Sequence, residues 1–388
     1  MFQAMDGPFI YSKYVTGKHF VGRKTELDIL SNLLGRGEHV ALYEPPKAGI
    51  TSLIQQTFYN MQISGKSFRV AELSLLNIRS LQELLLRLGS TVLRVFASTP
   101  DEFARAASTY LSGTHLVFDP EAYASRDAVL SFNWNPDDND IRAILTLPER
   151  IASDQGTRCY VVLGDFHNVL LCDEGEHFLS VFEKTIHPAG AEENAASYIF
   201  TGARVNAMKD IFEHRRYFYR TVEHLPLQPI DPKDIVEHTV RGFLTSGKVI
   251  DRDLLLGACK LFRCNAWYMN HFAAICDTLS KGFIMENVLL EALDALISIH
   301  RPRFTAIMED LTTFQTGLLK AVLQGYTRFS SADIIRRYGL HSSANVRRLK
   351  DALCKKEILT FNEKDEPVLL DPLFEYWASK YYFELERK

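Results

Sequence analysis

Four short runs constrain this sequence more than any other feature: His39–Tyr43, Phe68–Leu73, Cys159–Leu163 and Ser197–Gly202. Each has the length of a strand, and the apolar run HVALY suits a strand covered on both faces. Helical patterns lie between them. Leu27, Leu30, Leu33 and Leu34 form one stripe that Gly35 and Gly37 stop. A second helix opens at Thr51 and Ser52 and carries Leu53, Ile54, Phe58 and Met61 on one side. A third spans Leu81–Phe96, and a fourth lies near Ile141–Ser153. Strands alternating with helices predict an α/β fold, a parallel sheet with crossover helices. Residues 97–140 are less regular, and the polar stretch Asn133–Asp140 reads as an exposed loop.

After Pro229 the strand signal stops. From Asp231 to His300 one helical pattern follows another, with starts marked by Asp231-Pro232 and by Asp251. Beyond Arg301 come three short helical patterns, the run Ile358–Phe361, a turn over Asn362–Glu366 and the run Val368–Leu370. Three helices and a small hairpin are the layout of a winged helix-turn-helix. The sequence therefore divides into residues 1–228, an α-helical lid at 229–301, and a winged helix at 302–388.

Composition narrows the function classes. With 44 basic and 48 acidic residues the net charge is −4, which excludes a chain that is basic throughout but not a local basic patch. The segment from Arg301 onward holds 15 basic and 12 acidic residues, a net +3, so the remainder carries −7. The six cysteines include no C-x-x-C pair, which speaks against a disulfide scaffold or a zinc site. They read as small hydrophobes of a reducing compartment. No apolar stretch approaches the roughly 18 residues of a membrane span. Met1–Asp6 shows no basic stretch leading into an apolar one. The expected location is cytoplasmic, with no membrane partner.

The turn after His39–Tyr43 carries the most chemistry. A strand, a turn and a helix opening on Thr-Ser form the context of a phosphate-binding loop, G-x-x-x-x-G-K-[ST]. Here the register gives Glu44 for the first glycine, Gly49 for the second, Ile50 for the lysine and Thr51 for the hydroxyl. Backbone N–H groups of Gly49, Ile50 and Thr51 would still point out of a helix start whose dipole favours anions. Ile50 supplies no ammonium, and Glu44 adds an anion. Lys47 would either reach inward or pair with Glu44.

These segments, taken in order, resemble a family. Pro8-Phe9 and Phe20–Arg23 are similar to its opening box, and Tyr43–Leu53 to its YGPRRxGKTSL-like loop. Val161–His167 lies where it has a strand ending in DEFQ, Phe200–Ala203 where it has FxGS, and Leu369–Trp377 where it has DPLFxxW. The chain is identified as a bacterial member of the archaeal-type ATPases, P-loop proteins of the AAA+/STAND group, with degenerate Walker motifs. The resemblance implies a P-loop NTPase-like sheet, a helical lid and a winged helix. It places the nucleotide site at Glu44, Lys47, Gly49, Ile50, Thr51, Ser52 and Thr201. If Mg²⁺ binds, Thr51 and Asp165 would hold it.

The departures fall on the catalytic positions. The family register sets Gly164 at the metal aspartate and Asp165 at the catalytic glutamate; moved by one, Asp165 becomes the metal residue and Phe166 replaces the base. Either way one acid stands where two are needed. A Gly-x-Pro-like lid turn is replaced by Cys264-Asn265-Ala266, and Ala203 follows Gly202. The expectation is a degenerate ATPase-like protein without hydrolysis, with no cofactor, acting as a switch or scaffold toward a protein partner. One alternative is an ATPase that still binds ATP or ADP with Mg²⁺.

The other alternative is a DNA-binding regulator. The recognition-helix position, Ala344–Lys356, carries Asn345, Arg347, Arg348 and Lys350, able to meet phosphates and base edges. Asp351, Glu357 and the acidic turn Asn362–Glu366 oppose that use. His167, His187, His214, His224 and His238 are scattered over different elements, and Asp165-x-His167 has little specificity as a metal motif. The basic, aromatic run His214–Arg220 reads as a surface loop leading into a strand.

Overall fold

The computed structural model describes residues 7–125, 129–186, 194–215 and 217–385. His187, Arg216 and the amino-terminal stretch read above for a leader lie outside them. The chain forms two compact units, one of Lys24–Glu44 with Gln56–Leu227, the other of Met1–Arg23, Pro45–Gln55 and Gln228–Lys388.

The first unit is built on strands β1 (His39–Tyr43), β2 (Phe68–Ser74), β5 (Arg158–Gly164), β6 (Ala196–Gly202) and β7 (Val222–His224). They run parallel in the order β2-β5-β6-β1-β7. The first four match the sequence reading to within a residue or two. The edge strand β7 stands where the run His214–Arg220 was read as leading into a strand. All of β1 is buried, as its composition demands. Leu163 of β5 lies beside Phe200, and Leu42 of β1 beside Thr201. The carboxyl ends of β1, β5 and β6 therefore share one edge, where Glu44, Asp165 and Thr201 stand. Phe166, Phe182, Phe200 and Phe218 are fully buried or nearly so, and Phe166 and Phe200 have ring centroids 4.6 Å apart. Burial of each such ring is worth roughly 1.5–3 kcal/mol.

The irregular stretch contains more order than expected. Thr99 and Glu102 form a capping box on the helix Pro100–Tyr110, and β3 (Leu116–Phe118) pairs antiparallel with β4 (Leu130–Phe132). The loop expected over Asn133–Asp140 ends early, because the helix Asp138–Asp154 already includes Asp138–Asp140. The acids themselves are the reason: Asp137 accepts from the N–H groups of Asn139 and Asp140, while buried Asp140 accepts from that of Asp137. Carboxylates here satisfy the unpaired donors of a helix start.

The second unit carries the helices Pro232–Thr245, Arg252–Leu261, Ala266–Leu279 and Glu286–Glu309. Asp231 and Asp251 cap the first two, as read from sequence. The expectation of helix after helix from Asp231 to His300 needs correction, since β8 (Val249–Ile250) and β9 (Phe283–Ile284) pair in parallel. Two-residue strands leave no pattern to read. The helix Glu286–Glu309 runs unbroken through Pro302. Helices Thr313–Leu323, Ala332–Tyr338 and Ser343–Lys355 follow, then the antiparallel hairpin of β10 (Leu359–Phe361) and β11 (Pro367–Leu369), and a last helix Pro372–Trp377. One core joins these parts, from Phe243, Phe262 and Phe272 to Phe304, Phe374 and Trp377.

Among the described residues no helix is long and apolar enough to cross a membrane. The six cysteines are free, five of them buried and Cys354 half-buried. Gly317 lets two winged-helix elements meet: a Cβ there would lie 2.2 Å from the Tyr338 carbonyl oxygen. Gly317→Ala should lower stability by about 1–3 kcal/mol, read as a lower urea midpoint; an unchanged midpoint would show that the two helices separate freely.

Candidate functional site

In the second unit, the loop Pro45–Gly49 leads into the helix Ile50–Ile63. Gly49 has φ +95°, a value that favours glycine, and its carbonyl accepts from the Leu53 N–H. Arg23 binds the Ala48 carbonyl at 3.1 Å and the Gln228 carbonyl at 2.9 Å, which braces the loop from the Phe20–Arg23 box. Thr51 is exposed. Ser52 is used structurally, its hydroxyl accepting from the Val15 N–H at 3.1 Å.

Lys47 takes a course that the sequence did not suggest. Its backbone is left-handed at φ +73°, and its ammonium sits 3.5 Å from the centroid of the Trp267 ring, with Tyr268 at 5.8 Å. A cation over an indole face is held by the ring quadrupole. Both rings stand at the start of the helix Ala266–Leu279, whose cap is Asn265: its side chain accepts from the N–H groups of Trp267 and Tyr268. The start of the helix Ala266–Leu279 thus presents an indole to the loop. Trp267 is fixed in turn by its Nε1–H bond to the Tyr11 carbonyl.

Behind the rings lies an ion pair. Arg303 contacts Asp371 at 2.6 Å, and Asp371 accepts from the Tyr268 hydroxyl at 2.8 Å and from the N–H groups of Leu373 and Phe374. The Asp371-Pro372-Leu373-Phe374 box is therefore a helix cap that also gathers Tyr268 and Arg303. Loss of water around Lys47, assisted by Arg303 and opposed by Asp371, brings its pKa down to about 8. Burial and the nearby cations bring His300 down to about 4, so it is neutral at physiological pH. Sequence reasoning missed Trp267, Tyr268, Arg303 and Asp371 as neighbours of Lys47. The aromatic pair following a cap at Asn265 was the available signal.

In the first unit, Glu44 accepts from the Leu227 N–H at 2.9 Å. Asp165 follows β5 in a left-handed conformation, φ +51°, and accepts from the Ser74 hydroxyl at 2.7 Å. The next side chain, Phe166, is the buried ring packed on Phe200. Thr201 is half-buried near the end of β6. A Cβ at Gly202 would lie 2.6 Å from Met208 and 3.2 Å from His167, so glycine permits this approach. Burial lowers the pKa of His167 despite Asp165. In the basic run, Arg215 pairs with Glu176 and Asp210, and Phe218 enters the core.

The recognition-helix candidates separate into two pairs. Asn345 Nδ2 donates to the Leu340 carbonyl at 3.1 Å. Lys350 bonds Asp365 of the hairpin turn at 2.9 Å and lies over the Phe361 ring. Arg347 and Arg348 are exposed, with no ion-pair partner among the described residues.

The arrangement of parallel sheet, loop, helical segment and winged helix has counterparts among solved structures. A Walker-type ATPase of Pyrococcus abyssi superposes with a TM-score of 0.65 at 15% identity, over 95% of this chain and 99% of that one. This chain has the fold of the Walker-type ATPases. The ORC2 protein of Aeropyrum pernix, solved as ADPNP–ADP complexes, gives 0.55 at 12% identity over 92% and 93% of the two chains. Its ADP form gives 0.53 at 12% identity over 94% and 93%. Residues 302–380 match the family model described as a probable winged helix domain. Comparison with curated sequences gives no match.

The environment of Lys47 has a direct chemical readout. A lysine brought down to about 8 is half neutral near that pH, whereas an ordinary one needs about 10.4. Acetylation followed peptide by peptide across pH should therefore give Lys47 a midpoint near 8, below the other lysines. Trp267→Leu should raise that midpoint if the indole keeps water from the ammonium. A Lys47 midpoint above 10 in the wild type would show a solvated side chain.

Proposed function

We propose that this protein is a degenerate ATPase-like module of the AAA+/STAND kind that does not hydrolyse ATP and acts as a switch or scaffold toward a protein partner. The observation that carries the reading is the state of the loop. Ile50 stands at the phosphate-binding lysine position, and Lys47, the loop's own lysine, is held over Trp267. At the edge of β5 a single carboxylate, Asp165, is committed to Ser74, and Phe166 occupies the following position in the core. These residues do not fit a magnesium nucleotide in its Walker setting, which needs a lysine on the β/γ-phosphates and two acids around metal and water. The exposed Thr51 and the amides of Gly49–Thr51 support the weaker alternative, in which ATP or ADP binds without turnover. The nucleotide complexes named for the ORC2 protein lend that alternative its chemistry.

Phosphate release from ATP and Mg²⁺ should stay at background, unchanged by Asp165→Asn. Turnover that this substitution abolishes would overturn the reading. Ile50→Lys restores one charged contact, worth about 1.5–3 kcal/mol, and should tighten ATP binding by tens-fold in isothermal titration without producing turnover.

A second reading, contact with duplex DNA, is favoured by the exposed and unpaired Arg347 and Arg348. If each meets a phosphate, Arg347→Ala with Arg348→Ala should lessen the slope of log affinity against log salt by about 1.8. Fluorescence anisotropy of a random duplex measures it, and equal slopes would remove the reading.

A further inference from the structure

A second concave site lies wholly within the unit that holds the winged helix. It is a cavity of about 900 Å³ whose lining includes Lys260, Arg263, Tyr326, Arg337, Tyr376 and Lys380. None of its lining residues belongs to the loop Glu44–Ser52. Lys260 comes from the helix Arg252–Leu261, Arg337 from Ala332–Tyr338, and Lys380 from the turn that follows Pro372–Trp377. Three separate elements thus direct cations at one space.

Among the described residues Glu375 is the one carboxylate in the lining, and it pairs with Arg263, which also donates to the Leu369 carbonyl at 2.6 Å. Arg337 donates to the Tyr326 hydroxyl and Lys380 to the Tyr376 hydroxyl, each at 3.1 Å. A phenol oxygen orients a cation without neutralising it. Lys260, Arg337 and Lys380 have no carboxylate partner among the described residues. Like charges converging on a cavity repel one another, and an anion there would relieve that repulsion. The same lining includes the apolar side chains of Leu261 and Leu323. A volume near the top of the roughly 300–1,000 Å³ range suits a small molecule.

We propose that this cavity binds a nucleoside phosphate, with its phosphates on Lys260, Arg337 and Lys380 and its base against Leu261 and Leu323. Charge-assisted contacts to phosphate are the strong ones, so affinity depends on the cations and the preference among anions on the apolar side chains. The site is independent of hydrolysis and of the loop at Gly49.

Isothermal titration of the full chain with ATP and with inorganic tripolyphosphate, both in excess EDTA, tests this. Both should bind, with ATP the tighter. Lys260→Glu with Lys380→Glu should weaken both about tenfold or more. The milder Lys260→Gln with Lys380→Gln should give an intermediate loss, and it guards against a folding defect in the reversal. Lys281→Glu, an exposed change outside the cavity, should leave both affinities alone. Wild-type protein that binds neither probe at millimolar concentration overturns the proposal, as does a charge reversal that binds like wild type. ATP no tighter than tripolyphosphate overturns the role of the apolar side chains. A single-stranded oligonucleotide that binds through these lysines where ATP does not overturns the choice of a small ligand.

Discussion

The carboxylate of Asp371 holds more of the carboxy-terminal unit in place than any other polar group. It caps the helix Pro372–Trp377, accepts from the Tyr268 hydroxyl, and pairs with Arg303 of the long helix. One half-buried charge therefore connects the end of the winged helix, the helix carrying the two cage aromatics, and the segment between them. Such a carboxylate is stable away from bulk water because donors surround it on several sides. Its field also opposes the loss of charge that water exclusion imposes on Lys47. If Asp371 were removed, Arg303 would become an unpaired cation beside Lys47, and the aromatic cover would lose its anchor.

The loop after β1 is held by its own backbone: the left-handed Gly49, the helix start at Ile50 and the brace from Arg23 fix its path. The loop's lysine, Lys47, has an indole face as its partner. A ring quadrupole offers about 0.5–2 kcal/mol to such a cation. That is sufficient to orient the side chain and small enough to be displaced.

Much of the architecture was legible in the sequence. Strands β1, β2, β5 and β6, the helix Leu81–Phe96 and the winged-helix elements emerged close to their observed bounds, because burial on one or both faces imposes a period on five or more residues. The elements that were missed are those whose existence depends on partners distant in sequence. Strands β8 and β9 span two residues each, and β3 and β4 stabilise each other. At the site, positions 44–51 and 165 were found because a motif marks them. Trp267, Arg303 and Asp371 were not connected to Lys47, since more than 200 residues separate the loop from its aromatic cover. The Asp371 box was recognised as a motif, yet only the fold shows that it is a cap.

Phe166 belongs to a cluster of rings that includes Phe182, Phe200 and Phe218. An acid placed at 166 would have to emerge from that cluster or be buried without a partner, and either would loosen the unit that must position it. Packing rather than surface chemistry therefore decides which side chains position 166 accepts.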